Sequence, residues 1–238
     1  METARHTFHQ TSVIAALLDG VLDGDTTVGT LRERGDFGLG TFDALDGEMV
    51  LLDGTCFRLR EDGSAEEATD AARTPFAVVT RFVAHRELEV TAPTTRAELT
   101  ARIDATLGST NYLYAVRVDG TFSRVRVRAV AAQQHPYPRL DEVTEHESIA
   151  EFADAEGTVV GFRTPAFERG VSVPGYHAHF LGADRTGGGH IQDYVLDRGR
   201  VAVCIGTDLH LELPRTAAFA GADLDPDDLD SRVTAAES

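Results

Sequence analysis

Gly175-Tyr176-His177-Ala178-His179-Phe180, continued by Asp184-Arg185-Thr186-Gly187-Gly188-Gly189-His190, is the stretch from which the rest of the chain can be read. Histidines two residues apart put both imidazoles on one face of a β-strand, because side chains alternate with period two. The glycine-rich segment behind them reverses the chain and delivers His190 on the partner strand. Three neutral imidazoles converging from a hairpin form a facial cap for a divalent metal. Zinc is the first candidate, since catalytic zinc commonly takes three protein ligands and keeps one position open. The competing reading is three ordinary polar residues on a surface hairpin. A lone His-x-His fits that reading; a third histidine behind three glycines argues against it.

Outward from the hairpin, turn dipeptides divide the chain. Asp46-Gly47, Asp53-Gly54 and Asp62-Gly63 separate apolar runs at 38–42, 48–52 and 56–59, which predicts an antiparallel meander. A further strand is expected at 76–83. Asp119-Gly120 predicts a hairpin joining 112–118 to 121–130, with Arg124, Arg126 and Arg128 on one face of its second strand. Three arginines in a row usually form a solvated face, and the sequence does not single out one that points inward. Strands are also expected at 157–162, 191–196, 201–205 and 209–213, with Arg198-Gly199 turning between the middle pair.

Helices are expected at 11–18, from a Thr26-Thr27 cap to Arg34 with Gly35 as the stop, at 148–153, and from Asp225-Pro226 to Glu237-Ser238. Thr95-Arg96-Ala97-Glu98 has capping-box spacing, and Leu99, Ile103 and Leu107 continue it as a core-packing stripe. The segment 133–140, with Pro136 and Pro138, is the expected join between lobes. The expected class is α+β: two mixed or antiparallel sheet lobes with flanking helices, residues 1–132 an N-terminal sheet lobe and 133–238 a zinc-bearing lobe, packed as one compact unit. Both halves carry a helix followed by a meander, as an internal duplication would leave, although the halves match weakly.

Composition excludes several functions. The 238 residues carry 39 acidic and 22 basic side chains, a formal charge of −17, which opposes nucleic acid and anionic membranes as partners. Every basic residue is arginine, so Schiff-base catalysis by a lysine and lysine-bound pyridoxal phosphate are both excluded. Carbon-bond chemistry therefore needs a metal or another cofactor. No phosphate loop, dinucleotide fingerprint or Gly-x-Ser-x-Gly elbow is present. No run of about eighteen apolar residues is present, and no basic-then-apolar leader is visible, so the cytoplasm is expected. Cys56 and Cys204 lie in apolar runs and are expected as buried thiols, with a single disulfide between them as the alternative. A cupin would place a Glu a few residues after His-x-His, where this chain reads Phe180-Leu181-Gly182-Ala183-Asp184.

These residues carry a resemblance. The histidine motif, Leu17-Leu18-Asp19-Gly20-Val21 with Asp23-Gly24-Asp25, the block Gly35-Asp36-Phe37-Gly38-Leu39-Gly40-Thr41-Phe42 with Leu45-Asp46-Gly47-Glu48, and Val160-Gly161-Phe162-Arg163-Thr164-Pro165 together resemble the α-acetolactate decarboxylases, in order and over almost the whole chain. The resemblance implies zinc on His177, His179 and His190. It implies Glu48 as the active-site glutamate, Thr41 as a pocket threonine, Arg128 as the active-site arginine and Glu237 as a C-terminal glutamate folding back into the site. The chain departs from the family at Ala129-Val130-Ala131-Ala132, where basic residues and a proline are common.

The implied reaction converts 2-acetolactate to acetoin and carbon dioxide. Departing carbon dioxide leaves an electron pair beside a ketone, giving an enediolate that zinc would stabilise as Lewis acid and template. Glu48, Glu237 or Arg128 would then supply or relay one proton, and Arg128 could alternatively fork onto the substrate carboxylate. The expected partners are this small molecule and a second copy of the chain in a homodimer. Two other classes compete: a non-catalytic binding protein stabilised by structural zinc, and a cupin-like metal dioxygenase.

Overall fold

The computed structural model describes residues 5–144 and 147–237, apart from the side chains of Asp141, Thr144 and Glu237. Residues 1–4, Glu145, His146 and Ser238 lie outside the described residues. Along the chain the strands are β1 (Thr7–Thr11), β2 (Thr26–Thr27), β3 (Phe37–Thr41), β4 (Glu48–Leu52), β5 (Thr55–Leu59), β6 (Ala65–Glu67), β7 (Arg73–Thr74), β8 (Phe76–Thr80), β9 (Arg86–Val90) and β10 (Thr94–Thr95). Then come β11 (Leu113–Ala129), β12 (Ser148–Thr164), β13 (Gly175–Gly182), β14 (Gly188–Gly206) and β15 (Asp208–Glu212). The helices are α1 (Ile14–Leu18), α2 (Val28–Arg34), α3 (Arg96–Thr106), α4 (Leu140–Thr144), α5 (Ala217–Gly221) and α6 (Leu229–Glu237).

The first sheet runs β15-β1-β8-β3-β4-β5-β6 and the second β10-β14-β11-β12-β13, with β9 also on β14. Because β13 returns to pair with β14, strands β11 to β14 close on themselves around Phe122, Val125, Phe180 and Ile191. Alternation assigns each face of the first sheet. Met49 and Leu51 of β4 pack outward under Val28 and Leu31 of α2, while Val50 and Leu52 pack inward against Val160, Phe162 and Leu181 of the second sheet. Local signals hold where expected: the Thr27 hydroxyl accepts from the Thr30 amide at 3.2 Å to cap α2, and Thr95 and Glu98 form the capping box of α3.

Four expectations are corrected. Asp119-Gly120 is no hairpin; it lies inside the unbroken 17-residue strand β11, and Arg198-Gly199 likewise lies inside β14. Gly120 is paired with Gly157 on one side and Gly199 on the other. A Cβ at Gly120 would sit 2.4 Å from the Arg198 carbonyl oxygen, and one at Gly199 would sit 2.4 Å from that of Asp119. The glycines therefore answer a close approach of three backbones, which reads in sequence like a turn. Asp119 is satisfied laterally, its carboxylate accepting from the Thr158 hydroxyl at 2.8 Å and Arg117 Nε at 2.7 Å.

Residues 148–153 are strand, not helix, because β12 finds a full-length partner in β11. The final helix begins at Leu229, three residues after Pro226, with the Leu229 amide bonded to the Pro226 carbonyl. Leu229, Val233 and Ala236 form one stripe of it, buried against α1 and α4.

Strands from both sides of the 133–140 segment also enter each sheet. β9, β10 and β11 belong to the second sheet, and β15 pairs in parallel with β1 in the first. The mostly-sheet α+β class stands. Cys56 and Cys204 are buried free thiols, their pKa values pushed by burial up to about 12 and about 11. Among the described residues no helix is long and apolar enough to cross a membrane.

Candidate active site

Strand parity builds the site. On β13, Tyr176, Ala178 and Phe180 point into the closed second sheet, so His177, His179 and Leu181 point toward the first. Register then sets neighbours beside them: His179 pairs with His190, and His190 with Arg128 on the far side. From the facing sheet comes Glu48, on the inward side of β4 and directly opposite Thr41 of β3. The three imidazole centroids lie 5.0 to 5.3 Å apart, and one nitrogen of each lies within 4.8 Å of the others.

The donor set fits a metal ion. His179 Nδ1 donates to the Met49 carbonyl at 2.8 Å, which leaves the lone pair on Nε2. That Nε2 is buried with no hydrogen-bond partner, and the nearest carboxylate oxygen, of Glu48, is 3.5 Å away. Burial drives the His179 pKa down to about 4 and those of His177 and His190 well below the ordinary value, with Arg128 adding to the effect in all three. The imidazoles are therefore neutral at neutral pH, the form that ligates metals. The same burial pushes Glu48 up to about 7, with Arg128 pulling the other way.

Arg128 is 5 % exposed, which answers which of the three arginines points inward. Its Nη1 donates to Glu147 at 3.0 Å, its Nη2 donates to the Ala236 carbonyl, and Nη2 lies 3.4 Å from His190 Nε2. Arg124, by contrast, pairs with Asp193 at the surface. The Thr41 hydroxyl donates to the Gly47 carbonyl at 3.0 Å, so it braces the turn that presents Glu48. Of the three histidines, Glu48, Arg128 and Thr41, all but His179 line a single recess of about 510 Å³ of atom-free space, counting its open mouth. Thr41, Glu48, Arg128, His177 and His190 form its polar side; Ile14 and Leu17 of α1, Leu140 of α4 and Ala236 of α6 form its apolar side. His179 stands behind its two partners, fully buried.

The structure thus brings together the three histidines, Glu48, Arg128 and Thr41. The Glu237 side chain lies outside the described residues, though its neighbour Ala236 reaches the recess. Sequence reasoning missed Glu147, Gln192 and the carbonyls of Met49 and Ala236. Backbone acceptors leave no trace in a sequence, and Glu147 sits among other acidic residues that share its spacing.

A family model for alpha-acetolactate decarboxylase matches residues 8–226. The alpha-acetolactate decarboxylase of Methylococcus capsulatus is 44 % identical over 219 residues, covering 92 % of this chain and 84 % of its own. That of Bacillus subtilis is 40 % identical over 229 residues, covering 96 % and 90 %. The crystal structure of the Bacillus subtilis strain 168 protein aligns with a TM-score of 0.96 at 39 % identity, over 98 % of this chain and 99 % of that one.

Proposed function

The chain belongs to the alpha-acetolactate decarboxylase family, and on that premise we propose that it converts 2-acetolactate to acetoin and carbon dioxide with zinc held by His177, His179 and His190. The observation that carries this reading is the cluster of three neutral imidazoles, two of which open on a recess whose other polar walls are Thr41, a guanidinium and a carboxyl. Zinc held there supplies Lewis acidity toward the ketone oxygen that receives the electron pair of the broken bond.

The chain's own residues do the rest. Arg128 takes the substrate carboxylate, since a planar fork matches its geometry. The apolar side of the recess, from α1, α4 and α6, receives the methyl groups and keeps water away from the enediolate. Glu48, whose carboxyl is desolvated on the wall facing the histidines, is the carboxyl assigned to proton delivery. That proton closes the carbon from which carbon dioxide has left. Glu237 is the second carboxylate assigned to proton delivery, at the end of the helix whose Ala236 carbonyl already binds Arg128. Thr41 holds the turn before Glu48.

A structural zinc would be closed by four protein ligands. Among the described residues the cluster stops at three, which favours the catalytic reading. The test is incubation of the purified protein with 2-acetolactate, following acetoin and bound metal. Acetoin should form, stop on chelation and return with added zinc. A metal-replete protein that makes no acetoin overturns the reading.

A further inference from the structure

Arg128 does not stand alone in the recess. Its Nη1 meets the Glu147 carboxylate at 3.0 Å, in a pair only 6 % and 20 % exposed. The other oxygen of that carboxylate accepts from Gln192 Nε2 at 2.6 Å. Gln192 stands two residues beyond His190 on β14, and its backbone carbonyl accepts from Arg96 at 2.6 Å. Glu147 is therefore itself held, by the strand that carries one of the histidines. We propose that Glu147 is a positioning residue that limits how strongly Arg128 grips the substrate carboxylate. The proposal rests on Arg128 being that carboxylate's partner.

Two effects follow from the geometry. The first is order: a free arginine side chain has rotamer freedom to lose on binding, and the Glu147 and Ala236 contacts remove it before substrate arrives. The second is charge. The substrate carboxylate is anionic before the carbon–carbon bond breaks and departs as neutral carbon dioxide. An unopposed guanidinium in a dry recess would stabilise the anion in the ground state and forfeit that contact in the transition state, which raises the barrier. The negative charge of Glu147, 3.0 Å from the same guanidinium, weakens the ground-state grip.

The two effects move KM in opposite directions, so they separate in experiment. Glu147→Gln keeps an oxygen for Arg128 Nη1, and the Gln192 amide can rotate its own oxygen toward the new donor, so order is preserved and charge is lost. With zinc-loaded protein, KM for 2-acetolactate and kcat should each fall about fivefold, leaving kcat/KM nearly unchanged. Calorimetry with an unreactive 2-hydroxy acid should show about fivefold tighter binding in the same variant. Glu147→Ala, which loses order as well, should raise KM. Gln192→Ala frees Glu147 without removing its charge and should raise KM about twofold, which keeps the test open if Glu147→Gln does not fold. Melting temperature and bound zinc are measured for each.

A lowered kcat with lowered KM is a signature that a merely structural anchor does not produce. Unchanged or raised KM in folded Glu147→Gln overturns the proposal, as does unchanged KM in Gln192→Ala. Wild-type kinetics in Arg128→Lys would instead overturn the assignment of Arg128 itself.

Discussion

Replacing Val233 by Ala should loosen α6 without unfolding the sheets beneath it. Val233 is 6 % exposed against α1 and α4, on one stripe with Leu229 and Ala236. The change removes two methyl groups, about 1.6 kcal/mol of transfer free energy at about 0.8 kcal/mol each. The void they leave brings the loss to about 2 kcal/mol. A helix of nine residues is not stable alone, so α6 opens as a unit and the loss falls on its docking equilibrium. At about 1.4 kcal/mol per factor of ten, that is roughly a thirtyfold rise in the undocked fraction. Hydrogen exchange reads it directly: amides at 232–236 should exchange roughly thirtyfold faster while those of β11 keep their protection. Turnover should fall in proportion to the undocked fraction, in which the Ala236 carbonyl no longer holds Arg128. Bound zinc should not change, since its three proposed ligands sit on β13 and β14. Equal acceleration in α6 and β11 would show that the helix opens only with the whole molecule and would refute the reasoning.

Further expectations concern the site itself. His179→Ala, or His177→Ala, should lose both bound zinc and acetoin formation, read by elemental analysis beside the activity assay; stoichiometric zinc in the double variant would end the assignment. Arg128→Lys should lower kcat/KM by about a hundredfold despite the retained charge, because an ammonium cannot serve Glu147, Ala236 and a substrate carboxylate with one planar fork. Near-normal turnover there would reduce Arg128 to a packing role. Deleting Glu237 and Ser238 should leave folding and zinc content intact while lowering turnover by about a hundredfold, the range for losing a positioned acid. Full activity in that deletion would leave Glu48 as the remaining carboxylate for proton delivery.

Much of the site was legible because strand parity is a local property. His-x-His fixes a face, and Asp46-Gly47 before Glu48 fixes a turn, whatever the rest of the fold does. The burial of Arg128 was not legible, because Arg124 and Arg126 share its pattern and the distinction comes from β14 and α6. Asp119-Gly120 misled for a physical reason: glycine serves tight turns and close backbone approaches alike, and only the pairing of Gly120 with Gly157 and Gly199 tells them apart. Residues 148–153 are rich in Ala and Glu, whose helical preference is overridden by a full-length partner strand. The pairing of β15 with β1 spans about two hundred residues of chain, beyond the reach of any local pattern.

That last pairing has a consequence during synthesis. β1 meets β8 on one side and β15 on the other, so one of its edges waits for residues 208–212. At roughly 5–20 residues per second, the ribosome takes about ten to forty seconds to travel from the first strand to the last. Throughout that interval the nascent chain displays an unpaired row of amides and carbonyls, a template for pairing with a neighbouring nascent chain. Its hazard on the ribosome is then set by elongation rate and by whatever shields that edge, independently of how stable the finished sheet becomes.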